Sequence, residues 1–412
     1  MHSAASLQPT ARRACGACGS DSPRIVHKQS FVVPAGYPLP AEYVVVGCSR
    51  CGFVYADPAA TQHDYDRFYS DWSKYDDAAT ATGSAVSPFD AARLKQTAAD
   101  IARALPSKAA TILDAGCATG GLLTALQEFG FSGVSGLDPS ARCAEACRDR
   151  GFEAYVGSIG AAPAHMPKFD CLVLSHVLEH VYDIPAFFTA ARRLLAPGGY
   201  LYIETPDASQ YSRYMYAPLQ EFNTEHINHF SRTALANTAQ RYGFRPVLLE
   251  QKVFPTSKST EYPAVFGVFQ DIGHANADRC TRDDQIATQI ETYIHRSNQL
   301  MRSIEANLAR QIAPGTQLIV WGAGQLSMKL LTLPVLQKST IVQFVDNNPV
   351  LRGKRLAGAP IVAPSAIAVS KAPIVIATLL HTDAIVADIR RHGIQNPVLQ
   401  LLSPADAEVL TK

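Results

Sequence analysis

Asp114 and Asp138 bracket a run of small residues, ILDAGCATGG, whose spacing could grip a small charged ligand. Thr111 to Leu113 read as a strand that delivers Asp114 at its carboxyl end. Gly116, Ala118 and Gly120 then form a tight turn, and a helix begins near Gly121. Glycines let backbone approach a ligand, and a helix N-terminus favours anionic groups such as a carboxylate. A nicotinamide fingerprint is G-x-G-x-x-G with its acid about 20 residues later. Here an acid opens the loop, as D-x-G-x-A-x-G, and Asp138 closes the next strand candidate, GVSGLD. The first acid suits a ligand that carries an ammonium and a sulfonium; the second suits ribose hydroxyls.

A second chemistry lies near the start of the chain. Cys15 and Cys18 form one C-x-x-C pair, Cys48 and Cys51 another, and glycines (Gly19, Gly52) follow each. Tight turns of that kind aim paired thiolates at one tetrahedral ion. The segment between the pairs is longer than in a usual zinc ribbon, but doubling a loop costs only about 0.6 kcal/mol. Redox pairs are the competing reading; two turn-embedded pairs in a reducing compartment favour zinc. Four thiolates leave no open position, so the zinc is expected to be structural, a staple for a unit too small to fold otherwise. SFVVP and EYVVVGC are its strand candidates. The other five cysteines, Cys117, Cys143, Cys147, Cys171 and Cys280, read as small buried hydrophobes.

These residues need elements to hold them. Residues 61–108 read as helical, with Tyr65, Phe68, Tyr69, Trp72 and Tyr75 on one face. That face is either core packing or a lid whose last aromatic, Tyr75, reaches a substrate. From 109 to about 250 strand candidates alternate with helices, predicting an α/β fold with a doubly wound, mostly parallel sheet. Ligands in such sheets bind outside the carboxyl ends of the strands. That places Gly157 and Ser158, after the third strand, and Ser175 and His176, after the fourth, beside the cleft. Residues 251–280 carry no clear pattern. A long amphipathic helix follows, with Ile286, Ile290, Tyr293, Met301, Ile304 and Leu308 on one stripe. Pro314-Gly315 opens a second α/β unit, in which Gly322-Ala-Gly324 follows a strand and Asp346 ends another. Ser327 stands where a dinucleotide fingerprint wants its third glycine, and Asp346 is placed for a ribose. Binding of a substrate's nucleotide, a purely architectural role and an NAD site all remain open there.

Of 412 residues 47% are apolar, enough for real cores, and the net charge of +1 offers no basic footprint for nucleic acid. No run approaches the roughly 20 apolar residues of a membrane span, and the first residues lack a signal peptide's apolar stretch. A soluble, cytoplasmic protein is expected, acting on a small molecule with neither nucleic-acid nor membrane partners.

The order of motifs resembles one family. C-x-x-C pairs, LDAGCATGG, FDCLVLSHVLEHV, LLAPGGYLYIETP, EHINHFS, then WGAG with DNNP resemble the three-domain sugar C-methyltransferases, which use S-adenosylmethionine (SAM) on nucleotide-linked deoxysugars. The glycine loop itself looks like the SAM loop of class I methyltransferases. The resemblance implies a zinc-binding domain over 1–60, a methyltransferase core with a helical lid over 61–250, and a linker helix with a Rossmann-like substrate-binding domain over 251–412. It implies SAM contacts from Asp114, Gly116, Gly120, Asp138, Gly157, Ser158 and Ser175, with Gly157 and Ser158 near adenine. Gly322, Gly324 and Asp346 would hold the substrate's nucleotide. The family's active-site residues match His180 in VLEHV and Glu225 and His226 in TEHINHFS, with Tyr75 as the lid tyrosine. His226 would be the base, oriented by Glu225, with His180 or Tyr75 as donor to an enolate oxygen. One departure is plain: Asn223-Thr224 stand where the family has Tyr-His. C-methylation beside a ketone is the expected reaction. Methylation of a hydroxyl and an NAD-dependent oxidoreductase built on residues 315–412 are the alternatives, with a non-catalytic zinc-containing scaffold as a further class.

Overall fold

The computed structural model describes residues 12–72, 83–273, 280–367, 370–380 and 382–403. The expected lid tyrosine, Tyr75, lies outside the described residues. The chain opens with β1 (Pro23–Ser30), β2 (Glu42–Cys48) and β3 (Val54–Pro58), followed by α1 (Gln62–Asp71) and α2 (Pro88–Ala104). A reciprocal capping box between Thr61 and Asp64 starts α1, which buries Tyr65 and Phe68. Ser87 caps α2, with Pro88 in its first turn, where a missing N–H costs nothing. β1 stops at Ser30, so SFVVP is not a strand. Its apolar residues dock on the C-terminal unit instead: the Val32 N–H donates to the Met328 carbonyl at 2.8 Å.

The central unit runs β4 (Ile112–Ala115), α3 (Gly121–Glu128), β5 (Val134–Asp138), α4 (Ala141–Asp149), β6 (Glu153–Val156), β7 (Phe169–Ser175), α5 (Ile184–Leu194) and β8 (Leu195–Pro206). It continues through β9 (Asn228–His229), α6 (Arg232–Arg241), β10 (Phe244–Pro255) and β11 (Glu261–Asp271). Seven strands form one sheet in the order β10-β11-β8-β7-β4-β5-β6. The pairs among β8, β7, β4, β5 and β6 are parallel, whereas β11 is antiparallel to both neighbours. This is the class I methyltransferase arrangement, an α/β fold. β4 and β5 are buried along their whole length, as strands covered on both faces must be. The strand order reverses between β4 and β7, which opens the crevice at their carboxyl ends. The sheet runs on to Asp271, so the core extends past residue 250. The pattern of 251–280 is obscure because β11 is buried without a break from Pro263 to Phe269 and shows no alternation there.

The third unit comprises α7 (Ile286–Gln311), β12 (Gln317–Trp321), α8 (Gln325–Leu330), α9 (Pro334–Gln337), β13 (Thr340–Val345), β14 (Arg355–Leu356), β15 (Ala359–Val362), β16 (Ile374–Ile376), α10 (Thr382–Arg391) and β17 (Val398–Gln400). Its sheet order is β14-β15-β13-β12-β16-β17, parallel except at β14. α7 is the spine between units. Its Tyr293 hydroxyl accepts from the Glu221 N–H at 2.9 Å and its Ser297 hydroxyl from the Leu219 N–H at 3.0 Å. β9 joins β1, β2 and β3 in a four-stranded sheet, so the N-terminal unit takes a strand from the core. No helix among the described residues is long and apolar enough to cross a membrane.

Candidate active site

The loop after β4 is built by backbone torsion. Gly116 (φ 85°), Ala118 (φ 45°) and Gly120 (φ 83°) all lie in the left-handed region, where only glycine is unstrained. Asp138 ties the loop down: its carboxylate accepts the Ala118 N–H and the Ser140 N–H, each at 2.9 Å. Gly157 is bonded to the same strand end, its N–H donating to the Asp138 carbonyl at 2.9 Å. Ser158 begins the short turn that follows.

Asp114 is buried at the carboxyl end of β4. Burial and the charge of Asp138 push its carboxyl up to about 7, with Arg93 pulling the other way. An acid in that state lacks a cation, and the ammonium of a bound amino-acid ligand would supply one. Arg93 was missed from sequence. It pairs with Asp90 at 2.9 Å and reaches the Ser175 hydroxyl at 3.4 Å. Asp90 in turn accepts the N–H groups of Gly83 and Ala85, both at 2.9 Å, and fixes the segment that covers the glycine loop. Only the i,i+3 spacing of an acid and a base on one helix hinted at the pair.

Across the crevice stand two histidines. His180, in the turn after β7, and His226, in the segment before β9, meet edge to face with ring centroids 4.9 Å apart. His180 Nδ1 lies 3.1 Å from the Glu225 carbonyl oxygen, and His226 Nδ1 lies 3.2 Å from Glu221 Oε2. A carbonyl or carboxylate oxygen can only accept, so each Nδ1 carries the proton and each neutral ring turns a lone pair outward at Nε2. The acid that orients His226 is therefore Glu221, not Glu225. Glu221 also receives the Tyr262 hydroxyl at 2.9 Å. A neutral His180 cannot donate through Nε2, so it serves an enolate oxygen only when protonated. Burial pushes both rings toward the neutral form. For His180 burial prevails, whereas for His226 the hydrogen bond and charge of Glu221 outweigh it and raise its proton affinity. Glu179 brings a carboxylate oxygen within 4.8 Å of one nitrogen of each ring.

The Glu-His segment is an irregular turn, as two adjacent functional side chains require. Asn223 Oδ1 accepts the N–H groups of Glu225 (2.8 Å) and His226 (2.7 Å). The Thr224 hydroxyl meets Tyr37 Oη from the N-terminal unit and Gln325 Nε2 from the C-terminal unit, both at 2.7 Å. Gln325 also reaches Glu225 Oε1 at 3.4 Å. All three units thus converge on one turn. Gln325 directly follows Gly324, so the second glycine loop abuts the Glu-His pair.

That second loop copies the first. The Asp346 carboxylate accepts the Ala323 N–H at 2.7 Å and the Asn348 N–H at 2.8 Å, as Asp138 does for its loop. Ser327 fills the third-glycine position and donates to the Gly322 carbonyl at 2.6 Å. In the N-terminal unit Cys15, Cys18, Cys48 and Cys51 place their four sulfurs within 4.8 Å of one another. Cys15–Cys51 and Cys18–Cys48 are each 3.5 Å apart. Zn–S bonds of about 2.3 Å set tetrahedral sulfurs roughly 3.8 Å apart, so the quartet fits one zinc ion. Arg13 anchors this unit to the core, donating to Ala56 (2.8 Å), Tyr182 (2.9 Å) and Asn228 (2.9 Å).

Residues 89–249 match a family model described as a methyltransferase domain. They form a methyltransferase domain. The ubiquinone biosynthesis O-methyltransferase of Methylobacterium nodulans is 34% identical over 112 residues, covering 26% of this chain and 45% of that protein. Its mitochondrial counterpart in Homo sapiens is 35% identical over 111 residues, 24% of this chain and 30% of that one. The chain therefore spans less than half the length of these curated relatives. Among solved structures, the 1,6-didemethyltoxoflavin-N1-methyltransferase of Burkholderia thailandensis, with S-adenosylhomocysteine bound, aligns with a TM-score of 0.40 at 16% identity. The alignment covers 61% of this chain and 99% of that chain.

Proposed function

We propose that the protein transfers a methyl group from SAM to a nucleotide-linked sugar, at the carbon beside a keto group. The observation that carries the acceptor class is the junction at Thr224. There the Glu-His turn and the second glycine loop touch, so one extended substrate could offer its reacting end to His226 and its nucleotide to Gly322, Gly324 and Asp346. Asp114 would hold the SAM amino group and Asp138 its ribose. Gly116 and Gly120 would let backbone approach the methionine part, Ser175 would border it, and Gly157 and Ser158 would lie by adenine. The four cysteines would hold a structural zinc.

In the transfer, His226 Nε2 takes the proton from the carbon next to the ketone. The electron pair left there attacks the sulfonium methyl, and the C–S bond pair returns to sulfur as S-adenosylhomocysteine leaves. Holding the two reactants in line is worth up to about 7–11 kcal/mol, and the base a further 10²–10⁴-fold. Tyr75, or His180 once protonated, would steady the enolate oxygen, and Glu225 borders the site.

Incubation with methyl-labelled SAM and a panel of 4-keto nucleotide sugars is the test, with mass spectrometry locating the new methyl group. Transfer to carbon supports the proposal. Transfer only to hydroxyls would replace it with O-methylation, for which the same histidine suffices. A change in NAD(P)H absorbance with any of these sugars would favour the oxidoreductase instead.

A further inference from the structure

A chain of buried charges runs beneath the histidine pair, and the transfer described above leaves its middle member unused. Glu204 on β8 is fully buried. Its Oε2 lies 2.6 Å from Lys252 Nζ, 2.5 Å from the Tyr202 hydroxyl and 3.1 Å from the Thr97 hydroxyl. Lys252 is shared with Asp100 at 2.9 Å. The other oxygen of Glu204 lies 3.3 Å from His176 Nε2, close enough for charge but off the hydrogen-bond angle. On its opposite side His176 Nδ1 meets Glu179 Oε1 at 3.2 Å. That same oxygen lies 3.9 Å from His180 Nε2.

Two features say that His176 is held there for charge. Its backbone is in the left-handed region (φ 57°), a strained conformation for a residue with a side chain. That torsion, fixed by its N–H on the Glu204 carbonyl at 2.8 Å, swings the ring between the two acids. The charges also fail to balance without it. Lys252 serves Glu204 and, together with Arg103, Asp100, which leaves Glu179, 1% exposed, with no lysine or arginine in contact among the described residues and only histidines beside it. An uncompensated buried carboxylate costs several kcal/mol. Two rings also stand beside His176, Phe254 from β10 at 6.1 Å and Tyr262 from β11 at 6.2 Å. Arg93 from α2 reaches Glu204 by charge, as it does Asp114, and is paired with Asp90.

We propose that His176 is a positioning residue: as a cation between Glu204 and Glu179, it keeps Glu179 ionised beside the His180–His226 pair and so sets how readily that pair takes a proton. Burial would drive a proton off His176, but the Glu179 hydrogen bond and the close charges of both glutamates lift it to about 9. Glu179 in turn raises the proton affinity of both catalytic-site rings. The importance of this for turnover rests on the reading of His226 as base; the charge arrangement itself does not.

The experiment is an NMR titration of the full-length protein labelled with 13C in its histidine rings, comparing parent, Glu179→Gln and His176→Asn. In the parent, His176 should stay protonated past pH 8. Glu179→Gln should lower the His180 and His226 midpoints by about half a unit or more. His176→Asn should pass the lost proton to His180, the next partner of Glu179, and raise its midpoint by about one unit. A His176 that titrates below pH 6.5 in the parent overturns the proposal, as do His180 and His226 midpoints unmoved by Glu179→Gln. Should His176→Asn fail to fold, the parent and Glu179→Gln titrations still decide. Full turnover by His226→Ala would sink the base assignment without touching these ring titrations, so the two failures are distinguishable.

Discussion

SAM affinity should depend steeply on pH, and Asp114 is the reason. Its carboxyl is pushed up to about 7 by burial and by Asp138. An acid whose folded value exceeds its ordinary one binds more protons folded than unfolded, so it costs stability as pH rises through that window. From the ordinary 3.8 to about 7, the cost reaches roughly 4 kcal/mol once Asp114 is ionised. A cationic ligand relieves that cost only if it meets the ionised form. Below pH 7 the protein must first lose a proton, and the affinity falls by the ionised fraction. Relative to a plateau above pH 8.5, affinity should fall about twofold at pH 7 and about tenfold at pH 6. Titration calorimetry in buffers of different ionisation enthalpy would also register about half a proton released per SAM near pH 7. Asp114→Asn should bind SAM weakly at every pH, with the slope gone. A parent protein whose affinity is flat between pH 6 and 8.5, with no buffer-dependent heat, would refute the assignment of Asp114 to the SAM amino group.

Three further outcomes are expected. Cys48→Ser should reduce metal content from one zinc per chain to none and lower the melting temperature, whereas Cys280→Ser should do neither; elemental analysis and a thermal scan settle it. Gly121→Ala would put a methyl 2.5 Å from the Gly83 carbonyl oxygen and 2.7 Å from Leu94, so SAM binding should weaken at least about tenfold, because backbone cannot yield. His226→Asn should lower kcat by about 10²–10⁴ with SAM affinity unchanged. In the parent the rate should fall as pH drops through a midpoint above 6.5, since Glu221 raises that ring and the base must be neutral to act.

The cofactor loop was legible because its requirements are local. Left-handed torsion at Gly116 and Gly120 needs glycine, and an acid at a strand end shows as a break in an apolar run. The long helix α7 was legible for the same reason, since its stripe repeats within a few residues. What joins distant segments was not. Glu221 orients His226 from five residues away, but only the torsion of the intervening turn brings them together. Gln325 and Tyr37 reach Thr224 from the other two units, and no spacing rule connects them. β11 escaped because a strand buried on both faces has no alternation to detect. The SFVVP segment misled because apolar alternation signals burial, and its burial is against α8 rather than in a ladder.

Asn223 and Thr224 shape that junction. Asn223 spends its carboxamide oxygen on two backbone N–H groups, which shapes the turn that lets Glu225 and His226 face one crevice. Thr224 is small enough for two long side chains to meet at its hydroxyl. A larger ring at 224 would occupy the space that Tyr37 and Gln325 now fill and would separate the C-terminal unit from the turn. Thr224 thus serves as a clamp between units, with Tyr37 bringing a phenol to it from the N-terminal unit. Burial and the charge of Glu225 raise the proton affinity of that phenol, so it stays protonated. Any acceptor bound between the two glycine loops would press on this clamp from the Gln325 side. Under the proposed function, acceptor binding would therefore be linked to the placement of His226 through Thr224. Thr224→Val, which keeps the shape and removes the hydroxyl, should then reduce kcat on an acceptor that engages both loops more than on a truncated one lacking its nucleotide. Equal losses on both substrates would mean that the junction is only structural.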